Sequence, residues 1–145
     1  MVRLYLARFA QYYPDIDRWY VEKVLPGVVD GTRSILTERT SKGEILGVAI
    51  TKNGARSKLC HFSVAEEARG SGVGETLLRR AVEAMTSGGA RDIHLTIGEE
   101  AASQYKGFFT RYGFEEKGHA GSRYRRGVDE LVWRVNPETL LHRLG

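Results

Sequence analysis

The sequence predicts a single α/β domain built on a mixed sheet, and three observations predict it. Lys52-Asn53-Gly54-Ala55 separates two extended runs and reads as a hairpin turn. Arg69-Gly70-Ser71-Gly72-Val73-Gly74 joins a strand to a strongly amphipathic helix, which is how a parallel crossover begins. Strand and helix patterns then alternate to the C-terminus with no internal repeat, linker or low-complexity segment. The domain is expected over 1–145, with a core over about 3–135 and a short closing helix over 137–144.

Composition bounds the rest. A chain of 145 residues with 41% hydrophobic and 28% charged residues can bury a core of its own. Its 17 glycines follow no fixed period, so a collagen-like rod is excluded. No window holds 18 consecutive apolar residues, and Met1-Val2-Arg3-Leu4-Tyr5 fits neither a signal nor a transit peptide. Cys60 is the single cysteine and has no partner for an internal disulfide. A cytoplasmic protein is expected. Lys plus Arg number 22 and Asp plus Glu 18, a net charge of +4 that favours anionic partners only weakly. Arg123, Arg125, Arg126 and Arg134 crowd the C-terminal quarter with Tyr124 and Trp133 among them. Such a cluster is either a solvated face or a site for phosphate or nucleic acid.

The elements follow in order. Arg3 to Phe9 alternates as a first strand, with Leu4 and Leu6 opposite Tyr5 and Ala7. Pro14-Asp15 opens a helix on which Ile16, Trp19, Tyr20 and Val24 recur at spacings of three and four. Pro26-Gly27 is expected to interrupt it, leaving Val28 to Gly31 as a short second turn. Ser34–Glu38 and Glu44–Thr51 read as strands across Thr40-Ser41-Lys42-Gly43. Asn53-Gly54 suits a type I′ turn, which pairs Glu44–Thr51 antiparallel with Ser57–Val64. Plain alternation in the latter puts Cys60, Phe62 and Val64 on one face and Leu59, His61 and Ser63 on the other.

Glu75 to Ser87 is the clearest helix, with Leu77, Leu78, Ala81, Val82 and Met85 along one stripe and Gly88-Gly89 as its stop. Ile93, Leu95 and Ile97 alternate as a strand. Ala101 to Tyr112 carries Tyr105, Phe108, Phe109 and Tyr112 on a helix closed by Gly113. Phe114–His119 and Leu131–Val135 finish the sheet, and Pro137 to Leu144 forms the last helix.

The glycine loop carries the chemistry. Alternate glycines let a phosphate approach the backbone amides, the following helix directs its positive dipole end at the same place, and Arg69 adds a full charge at the mouth. An unliganded surface turn is the competing explanation, and the strand before with the helix after weighs against it. A Walker loop would need Gly-Lys-Ser/Thr, whereas Gly74 is followed by Glu75-Thr76. A dinucleotide fingerprint needs different glycine spacing and a place in the first βα turn.

The run Val64-Ala65-Glu66-Glu67-Ala68-Arg69-Gly70-Ser71-Gly72-Val73-Gly74, continued by Leu77-Leu78, resembles motif A of the GCN5-related N-acetyltransferases. Arg69, Gly72 and Gly74 meet its Arg/Gln-x-x-Gly-x-Gly/Ala core, and Phe109-Thr110-Arg111-Tyr112-Gly113-Phe114 is similar to the family's later segment ending in Gly-Phe. The element order agrees from about Arg3 to Val135. The resemblance implies an acetyl-coenzyme A site. The amides of Gly70, Ser71, Gly72, Val73 and Gly74 would hold the pyrophosphate beside Arg69, and the backbone of Phe62 and Val64 would pair with the pantetheine arm. A splayed pair of strands, Ser57–Val64 and Ile93–Ile97, would admit the thioester. An amine then attacks the thioester directly, with no metal and no covalent enzyme intermediate.

The departures fall on the proton-transfer residues. Many family members carry a tyrosine four residues before the Gly of Gly-Phe, and here that position is Phe109; the asparagine seven residues earlier is Ala102. Tyr112 and Tyr105 are the neighbouring tyrosines that could donate to the leaving thiolate, or else pack as ordinary core aromatics. For a base, His61 titrates in a suitable range, and a structural histidine is the alternative. Glu66, Glu67, Glu99 and Glu100 read as solvated turn or helix-start residues, and Cys60 as buried packing. Acceptor recognition would fall to Trp19, Tyr20, Arg123 and Tyr124, which flank the acyl end in such a fold. The expected activity is acetyl transfer to a primary amine by a monomer or homodimer. A nucleic-acid or tRNA-linked amine is an alternative acceptor, and a non-catalytic acyl-CoA-binding module is an alternative of another class.

Overall fold

In the computed structural model, which describes residues 1–119 and 130–145, six strands form one sheet. They are β1 (Arg33–Arg39), β2 (Ile45–Lys52), β3 (Arg56–Val64), β4 (Asp92–Gly98), β5 (Glu115–His119) and β6 (Glu130–Val135). Their order across the sheet is β1-β2-β3-β4-β6-β5. Every neighbouring pair is antiparallel except β3 and β4, which are parallel and joined through helix α4 (Val73–Ser87). The mixed sheet with one glycine-loop crossover is as the sequence predicts.

The N-terminus corrects the reading. Arg3 to Phe9 is not a strand: Val2–Leu6 forms a helix, α1, continued by a 3-10 turn over Ala7–Phe9. Val2, Tyr5, Leu6 and Phe9 pack toward the core while Leu4 is exposed. That set is spaced three and four apart, a helical stripe which the apparent alternation of Leu4 and Leu6 conceals. The next helix also runs on where a break is expected. α2 (Ile16–Trp19) passes through a π-helical turn over Tyr20–Val24 into α3 (Leu25–Asp30), with Pro26 in the first turn of α3 and the stop at Gly31. A proline removes one helical donor, and the wider hydrogen-bond register of a π turn is one way a helix accommodates that loss.

The turn between β2 and β3 is a hairpin of another kind than type I′. Gly54 has φ +135°, but no described non-glycine residue has a positive φ, so Asn53 cannot occupy the first position of that turn. Asn53 is instead held from several sides. Its backbone N–H donates to the Thr32 carbonyl at 2.8 Å, and its Oδ1 accepts from the Thr51 hydroxyl at 3.0 Å.

Two cores lie on opposite faces of the sheet. On one, Leu77, Leu78, Ala81, Val82 and Met85 of α4 pack with Leu59, Leu95, Phe109, Trp133 and Leu140. The helices α5 (Glu99–Arg111) and α6 (Pro137–Leu144) share this side. On the other face, Tyr5, Leu6, Ile16, Tyr20 and Val24 pack on Ile45, Val48 and Ile50. Each fully buried aliphatic side chain contributes about 1.5–3 kcal/mol relative to exposure.

The register of β3 supplies a second correction. Ile50 pairs with His61 and Thr51 with Leu59, so Cys60 is the extra residue of a bulge. Plain alternation therefore fails across it. Phe62 joins Leu59 on the α4 side, while Cys60 packs with the other core and His61 meets Phe9.

Candidate active site

β3 and β4 form a fork. They pair only over Arg56–Lys58 and Asp92–His94, whereas β4 stays paired with β6 as far as Gly98. The gap opens from Leu59 and Leu95 onward. The Ala65 N–H donates to the Leu46 carbonyl of β2 at 2.7 Å, and backbone groups alternate sides along a strand. Ser63 therefore faces β2 as Ala65 does, and the peptide groups of Phe62 and Val64 face the gap.

The glycine loop lies beyond the same end of β3. Glu66–Ala68 forms a single 3-10 turn, Arg69 is extended, and Gly70 and Gly72 have φ of +79° and +86°. A Cβ at either would touch nothing within 4 Å, so conformation rather than crowding requires glycine there. Gly72 is the N-cap of α4 and has no side chain to cap it, so the first amides of the helix have no N-cap side-chain acceptor. The Ser71 hydroxyl donates to the Ala68 carbonyl and closes the turn. Gly74 has a different reason to be glycine: a Cβ there would lie 3.3 Å from the Phe108 ring and 3.5 Å from Val64. Val73, buried only in part, packs with the α1-side core.

The α5 side of the fork is lined with aromatic rings. Phe62 stacks on Phe108 with centroids 5.4 Å apart, and the buried Phe109 sits edge-on to Phe62 at 5.7 Å. Phe109 brings no proton to this place. Tyr112 lies just past α5, buried, with its phenol pushed above its ordinary range by burial and by Glu75. Its neighbours there are Glu75 and Arg79 on α4. Tyr105 is half-buried, its ring 6.3 Å from Phe109, and burial raises its phenol while the charge of Arg69 opposes the rise.

The α1 face of β3 carries a polar cluster. His61 Nε2 lies 2.7 Å from Ser63 Oγ, which lies 2.9 Å from the Tyr5 hydroxyl. Phe9 meets the His61 ring edge-on at 5.2 Å. Burial lowers the His61 ring to about 4, so it is neutral near pH 7. Ser63 is 1% exposed and Tyr5 4%, and the Arg8 guanidinium stands 5.1 Å from the Tyr5 ring centroid. Neither Tyr5 nor Ser63 stands out in the sequence; the helical stripe of Val2, Tyr5, Leu6 and Phe9 is the signal that would have found Tyr5.

The other sequence candidates are dispersed. Tyr20 is buried in the α1-side core, and Trp19 is partly buried with Arg33 5.9 Å from its ring centroid. Arg123 and Tyr124 lie outside the described residues. Burial raises the Cys60 thiol, against the pull of Arg33, whose guanidinium donates to Sγ at 3.4 Å. Among the described residues no group of three or more His, Cys, Asp or Glu is placed to hold a metal ion. No described helix is long and apolar enough to cross a membrane.

Comparison with known proteins fits this geometry. Residues 22–131 match the family model described as an acetyltransferase (GNAT) domain. No curated protein matches the chain in sequence. Solved structures do match in fold. A nourseothricin acetyltransferase is 23% identical at TM-score 0.67, over 74% of this chain and 66% of its own, so the chain spans just under two-thirds of that relative. A putative GNAT-family acetyltransferase from Desulfovibrio desulfuricans is 19% identical at TM-score 0.69, over 85% of this chain and 80% of its own. The spermidine/spermine N-acetyltransferase SpeG from Vibrio cholerae is 17% identical at TM-score 0.66, over 90% and 78%.

Proposed function

This chain belongs to the GNAT acetyltransferase family, and we propose that it transfers the acetyl group of acetyl-CoA to a primary amine by direct attack, in the cytoplasm. The single observation that carries the reading is the alignment of fork and loop. The unpaired peptide groups of Phe62 and Val64 lead from the gap between β3 and β4 to the open amides at Gly70–Gly74. A long ligand with an anionic middle and a thioester end fits that line. Arg69, Gly70, Ser71, Gly72, Val73 and Gly74 receive the pyrophosphate, and the strand edge receives the pantetheine amides by adding a partner to it.

The chain's residues then have three tasks. The first is position: the loop and strand edge hold the thioester carbonyl in the fork, which makes the attack effectively intramolecular. The second is charge: a backbone N–H stabilises the oxygen as it becomes anionic. The third is protons, since the attacking amine must be neutral and the departing sulfur gains from a proton. As the new N–C bond forms, the C–S bond breaks and the thiolate of coenzyme A leaves.

Among the similar structures are acetyltransferases named for nourseothricin and for spermidine, so an acceptor panel begins with those two compounds. Titration calorimetry with acetyl-CoA tests the donor site. Binding is expected in the native chain and is expected to be abolished by Gly72→Glu, which puts a side chain and a negative charge at the pyrophosphate position. Equal affinity in that variant would move the donor site elsewhere.

A further inference from the structure

A proton inventory of the polar cluster fixes the direction of its hydrogen bonds. Among the described residues the Tyr5 hydroxyl has one partner, Ser63 Oγ, and Ser63 Oγ has two, Tyr5 and His61 Nε2. Two hydroxyl hydrogens must be placed in these two bonds, because both hydroxyls are buried. If His61 Nε2 carried a hydrogen, Ser63 would donate to Tyr5 and the buried Tyr5 hydrogen would be stranded. Only one arrangement uses both hydroxyl hydrogens, and the hydrogen it leaves over sits on the partly exposed His61 ring rather than on a buried hydroxyl. Tyr5 donates to Ser63, Ser63 donates to Nε2, and the neutral His61 ring carries its own hydrogen on Nδ1.

We propose that Tyr5, Ser63 and His61 form an oriented proton-donating chain on the α1 face of β3, with His61 Nδ1–H as the donor to the departing thiolate. The inference rests on the acetyl-transfer reading above. It answers a deficit on the α5 side of the fork, where the ring edge-on to Phe62 is Phe109 and has no hydrogen to give. The step balances. Sulfur takes the Nδ1 hydrogen, Nε2 takes the Ser63 hydrogen, Ser63 takes the Tyr5 hydrogen, and Tyr5 is left as a phenolate that solvent reprotonates. Arg8, stacked on the Tyr5 ring, is the cation placed to stabilise that phenolate, and its charge pulls the phenol down against the rise that burial causes. Because of the bulge, Cys60 and His61, neighbours in sequence, both lie on the α1 side, where His61 meets Phe9 and Ser63 meets Tyr5. In this scheme His61 is the catalytic residue, and Ser63 and Tyr5 are positioning residues that act through it.

Two measurements test the proposal. In protein labelled with ¹⁵N at histidine, long-range ¹H–¹⁵N correlation near pH 7 is expected to show His61 neutral, protonated at Nδ1 and bare at Nε2. A ring protonated at Nε2 overturns the proposal whether or not an acceptor has been found. The second measurement is thiol release from acetyl-CoA with spermidine and glycinamide as probe amines. Tyr5→Phe and Ser63→Ala are each expected to keep acetyl-CoA affinity within twofold in calorimetry and to lower kcat at least tenfold, and the double variant to lose little more than either alone; a loss equal to the product of the two single losses overturns the single chain. Ser63→Thr, which keeps the hydroxyl, is expected to restore most of the rate. An unchanged kcat in Tyr5→Phe, or the whole loss appearing in Tyr105→Phe instead, overturns it. Failure of the native chain to bind acetyl-CoA overturns the acetyl-transfer reading itself, and calorimetry separates that outcome from the others.

Discussion

Phe62 of β3 and Phe108 of α5 stack with centroids 5.4 Å apart and planes inclined by 26°, and Gly74 of α4 lies beneath the Phe108 ring edge. The glycine loop and the aromatic wall of the fork are therefore mechanically one piece. A branched side chain at position 74 must displace Phe108, Val64 or the helix start. Gly74→Val is expected to cost about 1–3 kcal/mol through overpacking and to weaken acetyl-CoA binding by disturbing the Phe62 edge of the gap. Thermal denaturation and calorimetry on the same sample check both halves. A variant as stable and as tight-binding as the native chain would show that the contact does not constrain the loop.

Gly72 and Gly31 form a matched pair. Both have φ near +85°, both end or begin a helix, and neither would bring a Cβ within 4 Å of another atom. Alanine at either position is expected to cost about 1–2 kcal/mol from left-handed backbone strain alone, a fall in Tm of roughly 2–4 °C per kcal/mol for a chain of this size. Their effect on ligand should differ. Only Gly72→Ala is expected to weaken acetyl-CoA binding, because its Cβ enters the space that the first amides of α4 face. Equal loss of affinity in Gly31→Ala would reduce the effect at Gly72 to general destabilisation.

The parts of the molecule that a sequence shows well are those decided locally. The α4 stripe, the stop at Gly88-Gly89 and the loop at Arg69–Gly74 depend on periodicity and on glycine, and each stands where the residues place it. What stayed hidden depends on neighbours distant in the chain. Arg3 to Phe9 is too short for its period to be decisive, and its helical form is selected by Tyr5 and Leu6 packing with Ile45, Val48 and Ile50, residues distant in the chain. The bulge at Cys60 leaves no mark in the sequence of β3, yet it moves Leu59 to the α4 side and leaves Cys60 on the α1 side with His61 and Ser63. Phe109 is visible as a missing hydroxyl, but only the fold shows that His61, Ser63 and Tyr5 meet on the other face of β3.

The last helix offers a control far from the loop. Asn136 Oδ1 accepts from the Glu138 N–H at 2.8 Å and the Thr139 N–H at 3.4 Å, capping α6, which buries Leu140 and Leu144 against α4. Asn136→Ala is expected to lower stability by about 1 kcal/mol, and Asn136→Asp or Asn136→Ser to retain most of it. Chemical denaturation resolves that difference. Acetyl-CoA affinity should be untouched at temperatures where the variant is folded; a drop would mean that α6 transmits strain through α4 to the loop.

The His61 ring also gives the fold a defined response to acid. Burial lowers it from an ordinary 6.5 to about 4, so between those values the unfolded chain binds a proton that the folded chain does not. Stability is thus fully present above about pH 6.5 and is lost as pH falls toward 4, at no more than about 1.4 kcal/mol per pH unit. His94 is lowered too, first by burial and then by Arg56 and Lys58, and adds loss of the same sign. Asp17 and Asp30, held low by hydrogen bonds from Arg3 and Thr32, titrate beneath this window. His61→Gln keeps an amide within reach of Ser63 and cannot titrate. Its Tm is therefore expected to fall less steeply than that of the native chain between pH 6.5 and 4.5, while His94→Gln removes a separate, smaller part of the slope. Parallel curves for His61→Gln and the native chain would mean that the ring is solvated in solution, and that the face of β3 it occupies is open to water.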